Sequence, residues 1–289
     1  MKVSIGPLLY LWSRTAALDF YAALCEAPVD IVYLGEVVCS KRRVLQREDW
    51  PEIAQALRAH GKEVVYSTLA LIEAESELAT LARIVREAGG LVEANDYAAV
   101  ETLGSRAFVA GPHLNVYNPP TLALLARKGA RRWVAPVELP LTTIAALAAE
   151  RPAGLEVEVF AYGRLPLAFS ARCFTARAHQ RGKDECEFVC GDYPDGLTLY
   201  TREEQPFLAF NGIQTQSASV HNLLPQLPAL RAAGVDVVRL SPHSRDFFDV
   251  VRAFRAAIDG AQASFPEPFL PGGYCDGYVH GAAGLENVE

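Results

Sequence analysis

The chain of 289 residues is 51% hydrophobic and 21% charged, which supplies a large core and excludes a disordered polypeptide. Its formal net charge of −7 argues against a nucleic-acid partner, because a polyanion calls for a basic face. No apolar run reaches the roughly 18 residues that a membrane-spanning helix needs.

Residues 1–12 combine one basic residue with an apolar stretch, but Gly6-Pro7 interrupts it and no small-x-small cleavage site precedes Arg14. They read as a first strand at 2–6, and a cytoplasmic chain with reduced thiols is expected. An apolar helix over 16–27 carries Cys25. A strand at 30–35 and a helix at 50–60 follow, then a strand at 63–68 and a helix at 76–88. Strands at 90–94 and 107–111 precede a helix at 122–128. A strand at 133–137, a helix at 142–150 and a strand at 155–161 continue the alternation. A helix at 220–233, a strand at 236–241 and a helix at 246–259 complete it. The strands are β-branched runs, the helices place apolar residues at helical spacing, and Gly61, Gly89, Gly129, Pro152 and Gly234 mark helix stops.

Eight strands alternating with helices predict an α/β fold, a (β/α)₈ TIM-like barrel over 1–264. An open doubly wound sheet is the alternative, but no Gly-rich phosphate loop follows the first strand. Residues 163–214 break the rhythm as an insertion after the seventh strand, ending in a hairpin pattern at 196–200 and 207–211. A connection this long inside a compact domain is usually functional. The tail, 265–289, is rich in Pro, Gly and aromatic residues, and its apolar stretch at 265–274 reads either as an interface or as a plug on its own barrel.

Six cysteines in a reduced compartment point to metal or redox chemistry. Cys173, Cys186 and Cys190 lie in the insertion, among Arg172, Arg177, Arg181, Lys183, Asp184, Glu185 and Asp192, a polar setting that does not bury thiols for packing. Cys39 follows the second strand, and barrel topology brings the loops after strands two and seven to one C-terminal face. Four thiolates there suit an iron–sulfur cluster or a structural zinc, and the lack of two tight Cys pairs favours the cluster. Arg172, Arg177 and Lys183 would offset its negative charge. Cys25 and Cys275 fit plain packing. The basic runs at 41–43 and 130–132 read as solvated loop or helix ends.

The segments DIVYLGEVVCSKRR from Asp30, LEVEVFAYGR from Leu155, SARCFTAR from Ser170 and Cys186-x₃-Cys190 resemble the collagenase-like peptidase family over essentially the whole chain. The likeness is to its iron–sulfur members in oxygen-independent ubiquinone biosynthesis. It implies that Cys39, Cys173, Cys186 and Cys190 are the ligands of a [4Fe–4S] cluster. It implies a heterodimer with a paralogous iron–sulfur subunit, with ubiquinone precursors and prephenate as small-molecule ligands. A peptidase, or an RNA-modifying hydroxylase of the same family, is the alternative, although no G-x-S-x-G or H-E-x-x-H motif is present.

Other polar candidates are few. Glu156 and Glu158 share a face of strand seven, and Glu158 either lines a pocket with Tyr162 or belongs to an internal salt bridge. His113, Asn115, Tyr117, Asn118 and Glu138 fall near the mouth and suit a small polar or acidic ligand. His221 and His243 read as structural.

Overall fold

Short β-branched strands and Ala/Leu-rich helices sort into the elements of a barrel, seen in a computed structural model that describes residues 1–262, 267, 268 and 270–288. The chain runs β1 (Lys2–Ile5), α1 (Arg14–Glu26), β2 (Ile31–Leu34), α2 (Asp49–Ala59), β3 (Glu63–Ser67), α3 (Glu75–Glu87) and β4 (Leu91–Ala94). It continues as α4 (Tyr97–Leu103), β5 (Phe108–Ala110), α5 (Pro119–Lys128), β6 (Ala130–Val134), α6 (Leu141–Ala149) and β7 (Glu156–Phe169). Then come α7 (Phe174–Ala178), β8 (Leu197–Tyr200), β9 (Pro206–Asn211), β10 (Gln214–Asn222), α8 (Leu227–Ala232), β11 (Val237–Leu240), α9 (Phe247–Ile258) and β12 (Tyr274–Cys275). Strands β1 to β7 pair in sequence and in parallel, and β11 pairs in parallel with both β7 and β1, closing a (β/α)₈ barrel.

Side-chain oxygens start several of these helices by accepting orphan backbone N–H groups: Ser13 from Ala16 at 3.2 Å, Asp96 from Ala98 at 2.7 Å, Asn118 from Thr121 at 2.9 Å. Between strands and helices lies the main core, in which Phe108, Trp133 and Phe254 are fully buried. Truncating any of them to Ala would cost about 3–5 kcal/mol. Inside the barrel a smaller apolar layer of Ile31, Tyr33, Val65, Val109, Val134 and Val237 sits among buried charges.

Strand β7 is twice the length a barrel strand needs. Its first half pairs with β6 and β11; its second half leaves the mouth and pairs antiparallel with β10. Gly163 makes the transition, with φ +129 and with Ser241 Cβ only 2.6 Å from where its own Cβ would stand. Strands β8, β9 and β10 continue the sheet antiparallel beyond the mouth, and the β8–β9 hairpin matches the sequence pattern.

Two expectations are corrected. The sixth strand lies at Ala130–Val134 instead of 133–137, which takes Arg131 and Arg132 out of a solvated helix end and into a strand, with Arg132 1% exposed. The helix expected over 220–233 is the end of β10 followed, after Pro225, by the short α8. Strand β10 escaped notice because its buried positions include Gln214, Gln216, Ser217 and Ser219, so apolar alternation is missing.

Residues 265, 266 and 269 of the apolar tail stretch lie outside the described residues. The described tail packs on its own barrel: Leu270 and Val279 join the main core and β12 pairs with β10. Among the described residues, no helix is long and apolar enough to cross a membrane.

Candidate metal centre

The loop after β2 is held down before it reaches Cys39. Val37 and Val38 bury against Leu9 and Ile213. The Glu36 carboxylate accepts the N–H of Val38 at 2.8 Å and of Cys39 at 3.1 Å, which turns the chain. Arg42 folds inward with a side chain 2% exposed, donating to the Leu9 carbonyl and to Asn211 Oδ1, each at 2.6 Å.

The insertion supplies three more thiols. Cys173 caps α7, its sulfur accepting the Ala176 N–H at 3.4 Å, and Thr175 Oγ1 accepts the Gly212 N–H at 2.9 Å, tying α7 to the turn between β9 and β10. Phe174 stacks on Phe210 with ring centroids 5.3 Å apart. Cys186 precedes, and Cys190 lies within, a single 3₁₀ turn, Val189–Asp192. Lys41 pairs with Asp184, and Lys183 with Glu73, stitching the insertion to the loops after β2 and β3.

Cys39, Cys173, Cys186 and Cys190 consequently line one cavity, together with Arg42 and Lys183. Two sequence-distant loops meet there, as the barrel argument expects. Cys25 and Cys275 lie elsewhere, buried in the main core and beside Phe160 and Leu165 respectively. Of the cationic neighbours expected, Lys183 lines the cavity, while Arg172 and Arg177 are not among its lining residues. Arg42 was missed: the basic run at 41–43 read as solvated, yet Arg42 is 6% exposed. Its signal was the apolar Val37-Val38 turn just before it, which pulls the following residues inward.

Four sulfur atoms, of the soft kind that would suit iron or zinc, line a common space, and no carboxylate or imidazole lines it. Burial pushes the Cys39, Cys173 and Cys190 thiols above their ordinary range, and neighbouring thiolates add to the rise. Any metal must therefore displace protons, and the Arg42 guanidinium, which lowers the Cys39, Cys173 and Cys190 values, favours the charged form. Among the described residues, no three His, Cys, Asp or Glu side chains are grouped as around a single metal ion.

The remaining candidates fall into place around the lumen. Glu158 accepts from Ser4 Oγ at 2.7 Å and Tyr33 Oη at 2.5 Å, and pairs with Arg239 at 2.7 Å and Arg132 at 3.6 Å. Burial opposes its charge, but Arg239 and Arg132 outweigh that and hold its carboxyl below the usual range. The internal salt bridge is thus what Glu158 makes; Glu156 joins it through Arg132 at 2.6 Å. His113, Asn115 and Glu138 line a chamber of about 240 Å³ at the mouth, and Tyr117 hydrogen-bonds Glu138. His221 and His243 are buried. A further cavity, of about 480 Å³, lies between α1, the insertion at Gly191 and Pro194, and the loop after β11.

A family model described as peptidase family U32 matches residues 17–271. Among solved structures, the chain is similar to the U32 peptidase Mk0906, at 13% identity and TM-score 0.45, covering 84% of this chain and 93% of that one. It is similar to a phospho-2-dehydro-3-deoxyheptonate aldolase from Thermotoga maritima at 11% identity and TM-score 0.47, over 91% and 71% of the two chains. A tryptophan synthase complex from Pyrococcus furiosus gives 14% identity and TM-score 0.44 over 89% and 98%. The family match spans nearly the whole chain, the cysteine-bearing insertion included, and the chain belongs to peptidase family U32.

Proposed function

We propose that Cys39, Cys173, Cys186 and Cys190 hold a [4Fe–4S] cluster. In this reading the chain is a UbiV-type protein serving oxygen-independent hydroxylation in ubiquinone biosynthesis, as heterodimer partner of a paralogous iron–sulfur subunit, UbiU. The observation that carries it is the convergence of four thiols, delivered by loops after β2 and β7, on one cavity beside a buried arginine. When bound, such a cluster passes single electrons. The chain's own residues hold it: Arg42 and Lys183 offset its negative charge, and the Ala176 N–H donates to the Cys173 sulfur. Ubiquinone precursors and prephenate are the ligands the resemblance implies, and the cytoplasm the compartment.

Protein purified without oxygen is expected to be brown, with about four irons and four sulfides per chain. Stoichiometric zinc without sulfide would sink the cluster. Cells lacking the protein should make normal ubiquinone in air and accumulate under-hydroxylated precursors without oxygen. Normal anaerobic ubiquinone in the deletion would refute the pathway role even if the cluster held. The family's description as a peptidase favours one second reading, proteolysis. Cleavage of casein or collagen that survives loss of the cluster would establish it.

A further inference from the structure

Three basic side chains, Lys41, Arg42 and Lys183, line the cysteine cavity. Both lysines commit their ammonium groups to other parts of the chain. Lys41 donates to the Lys183 carbonyl at 3.1 Å and pairs with Asp184. Lys183 donates to the Ala171 carbonyl at 3.0 Å and pairs with Glu73. Arg42 differs. Its Nη1 and Nη2 donate to the Leu9 carbonyl and to Asn211 Oδ1, but its buried Nε has no hydrogen-bond partner among the described residues. Glu36 stands 3.9 Å from Nη1, beyond hydrogen-bond reach.

The guanidinium is seated from outside the loops that carry the thiols. Arginine can only donate, so Asn211 turns Oδ1 towards it and Nδ2 the other way, donating to the Leu9 carbonyl at 2.7 Å and to Gln214 Oε1 at 3.2 Å. Leu9 follows β1 and Asn211 ends β9, so both anchors belong to segments without a cysteine. Gly212 completes the seat. Its φ is +66, and a Cβ there would stand 2.9 Å from Arg42 Nη2, so glycine leaves the guanidinium its place.

A guanidinium cannot shed its proton, and a buried cation with an unused donor calls for a negative acceptor. The side-chain acceptors that the cavity offers are its four thiols, since no carboxylate lines it. Arg42 is also the largest charged influence on the Cys190 thiol. An N–H donated to sulfur stabilises the electron-rich reduced form of a cluster more than the oxidised form, which raises its potential. A bare charge acts at a distance and without direction; a hydrogen bond needs a nitrogen at one place.

We propose that Arg42 Nε is the hydrogen-bond donor to sulfur of the group that the four cysteines hold. This directed bond, beyond the charge that Arg42 brings, sets the reduction potential of that group. Leu9, Asn211 and Gly212 are the residues that position the donor. The inference rests on the cluster reading and adds to it the side chain that tunes the cluster.

Full-length wild-type, Arg42→Lys and Arg42→Met proteins are loaded with iron and sulfide without oxygen, and their midpoint potentials are read by EPR-monitored titration. Both variants are expected to lower the ratio of reduced to oxidised cluster at a fixed potential roughly tenfold, a downward shift of about 59 mV for one electron. Lysine keeps the charge but puts no nitrogen at the ε position. A potential that falls only in Arg42→Met would mean that charge alone acts, and would overturn the inference, as would an unchanged potential in both. Should the variants not assemble a cluster, the wild-type protein decides. Grown with isotope-labelled arginine, its reduced state is expected to show an arginine nitrogen coupled to the cluster in pulsed EPR, Arg42 being the one arginine among the lining residues. Absence of that coupling would overturn the bond. Iron and sulfide analysis of the same samples keeps the two questions apart. Wild-type protein without a cluster sinks the functional reading and the inference together, whereas a cluster of unaltered potential in both variants sinks the inference alone.

Discussion

Arg239 has its guanidinium 4.0 Å above the Tyr33 ring, with Glu158 and Glu93 on two of its nitrogens. With Arg132 it balances those two carboxylates, and all four side chains are buried. Buried pairs of this kind add little against an apolar replacement, but losing one partner strands the others. Glu158→Ala is therefore expected to cost about 3–5 kcal/mol in urea denaturation, and a loss under 1 kcal/mol would show that water replaces the carboxylate. The thiols divide in the same residue-by-residue way. Cys39→Ala should abolish iron binding as fully as Cys186→Ala, because both line one cavity. Cys25→Ala and Cys275→Ala should leave the iron content unchanged. A dispensable Cys39 beside an essential Cys275 would mean that the ligand assignment is wrong.

Among the elements, the barrel and the sheet above its mouth answer to different parts of the sequence. Barrel strands were legible because burial on both faces leaves continuous apolar β-branched runs, as in Ile31–Leu34. The cysteine site was legible because thiols among charged loop residues have no packing reason to be there. What stayed hidden was polar and buried together: β10 with its inward Gln214 and Gln216, Arg42 in its basic run, and Asn211 between them. Local pattern marks such residues as surface, and only the long-range pairing of β7 with β10 encloses them. The barrel closes through β11 pairing with β7 and β1, with no cysteine of the insertion involved. The double variant Cys186→Ala/Cys190→Ala is thus expected to keep barrel amides slow in hydrogen exchange while loop amides near 183–193 exchange faster. Faster exchange in β1 or β11 would show that the cysteine loops support the barrel itself.

For the molecule as a whole, acid separates the folded from the unfolded chain, and the buried histidines set where. Burial lowers His113 to about 4, with Arg239 adding to the effect. It lowers His221 and His243 to about 4 as well, although Asp276 faces the first and Asp195 the second. Unfolded, each titrates near 6.5. Above about pH 6.5 both states hold neutral imidazoles and the histidines exert no pull. As pH falls below that, the unfolded chain takes up protons that the folded one refuses, so stability falls until about pH 4 and then levels off for these groups. Each would contribute on the order of 3 kcal/mol by that point, and three together rival the 5–15 kcal/mol that a domain has to lose. Glu158, whose carboxyl is held low, adds its own loss only below the usual carboxylate range, whereas burial raises Glu36 and gives it the opposite sign. Metal-free protein in reductant should therefore lose most of its denaturation free energy between pH 6.5 and 4. His221→Gln should flatten that slope by about a third, whatever it does to stability at pH 7.5. A free energy that stays level from pH 7.5 to 5 would mean that the three imidazoles reach water in the folded chain.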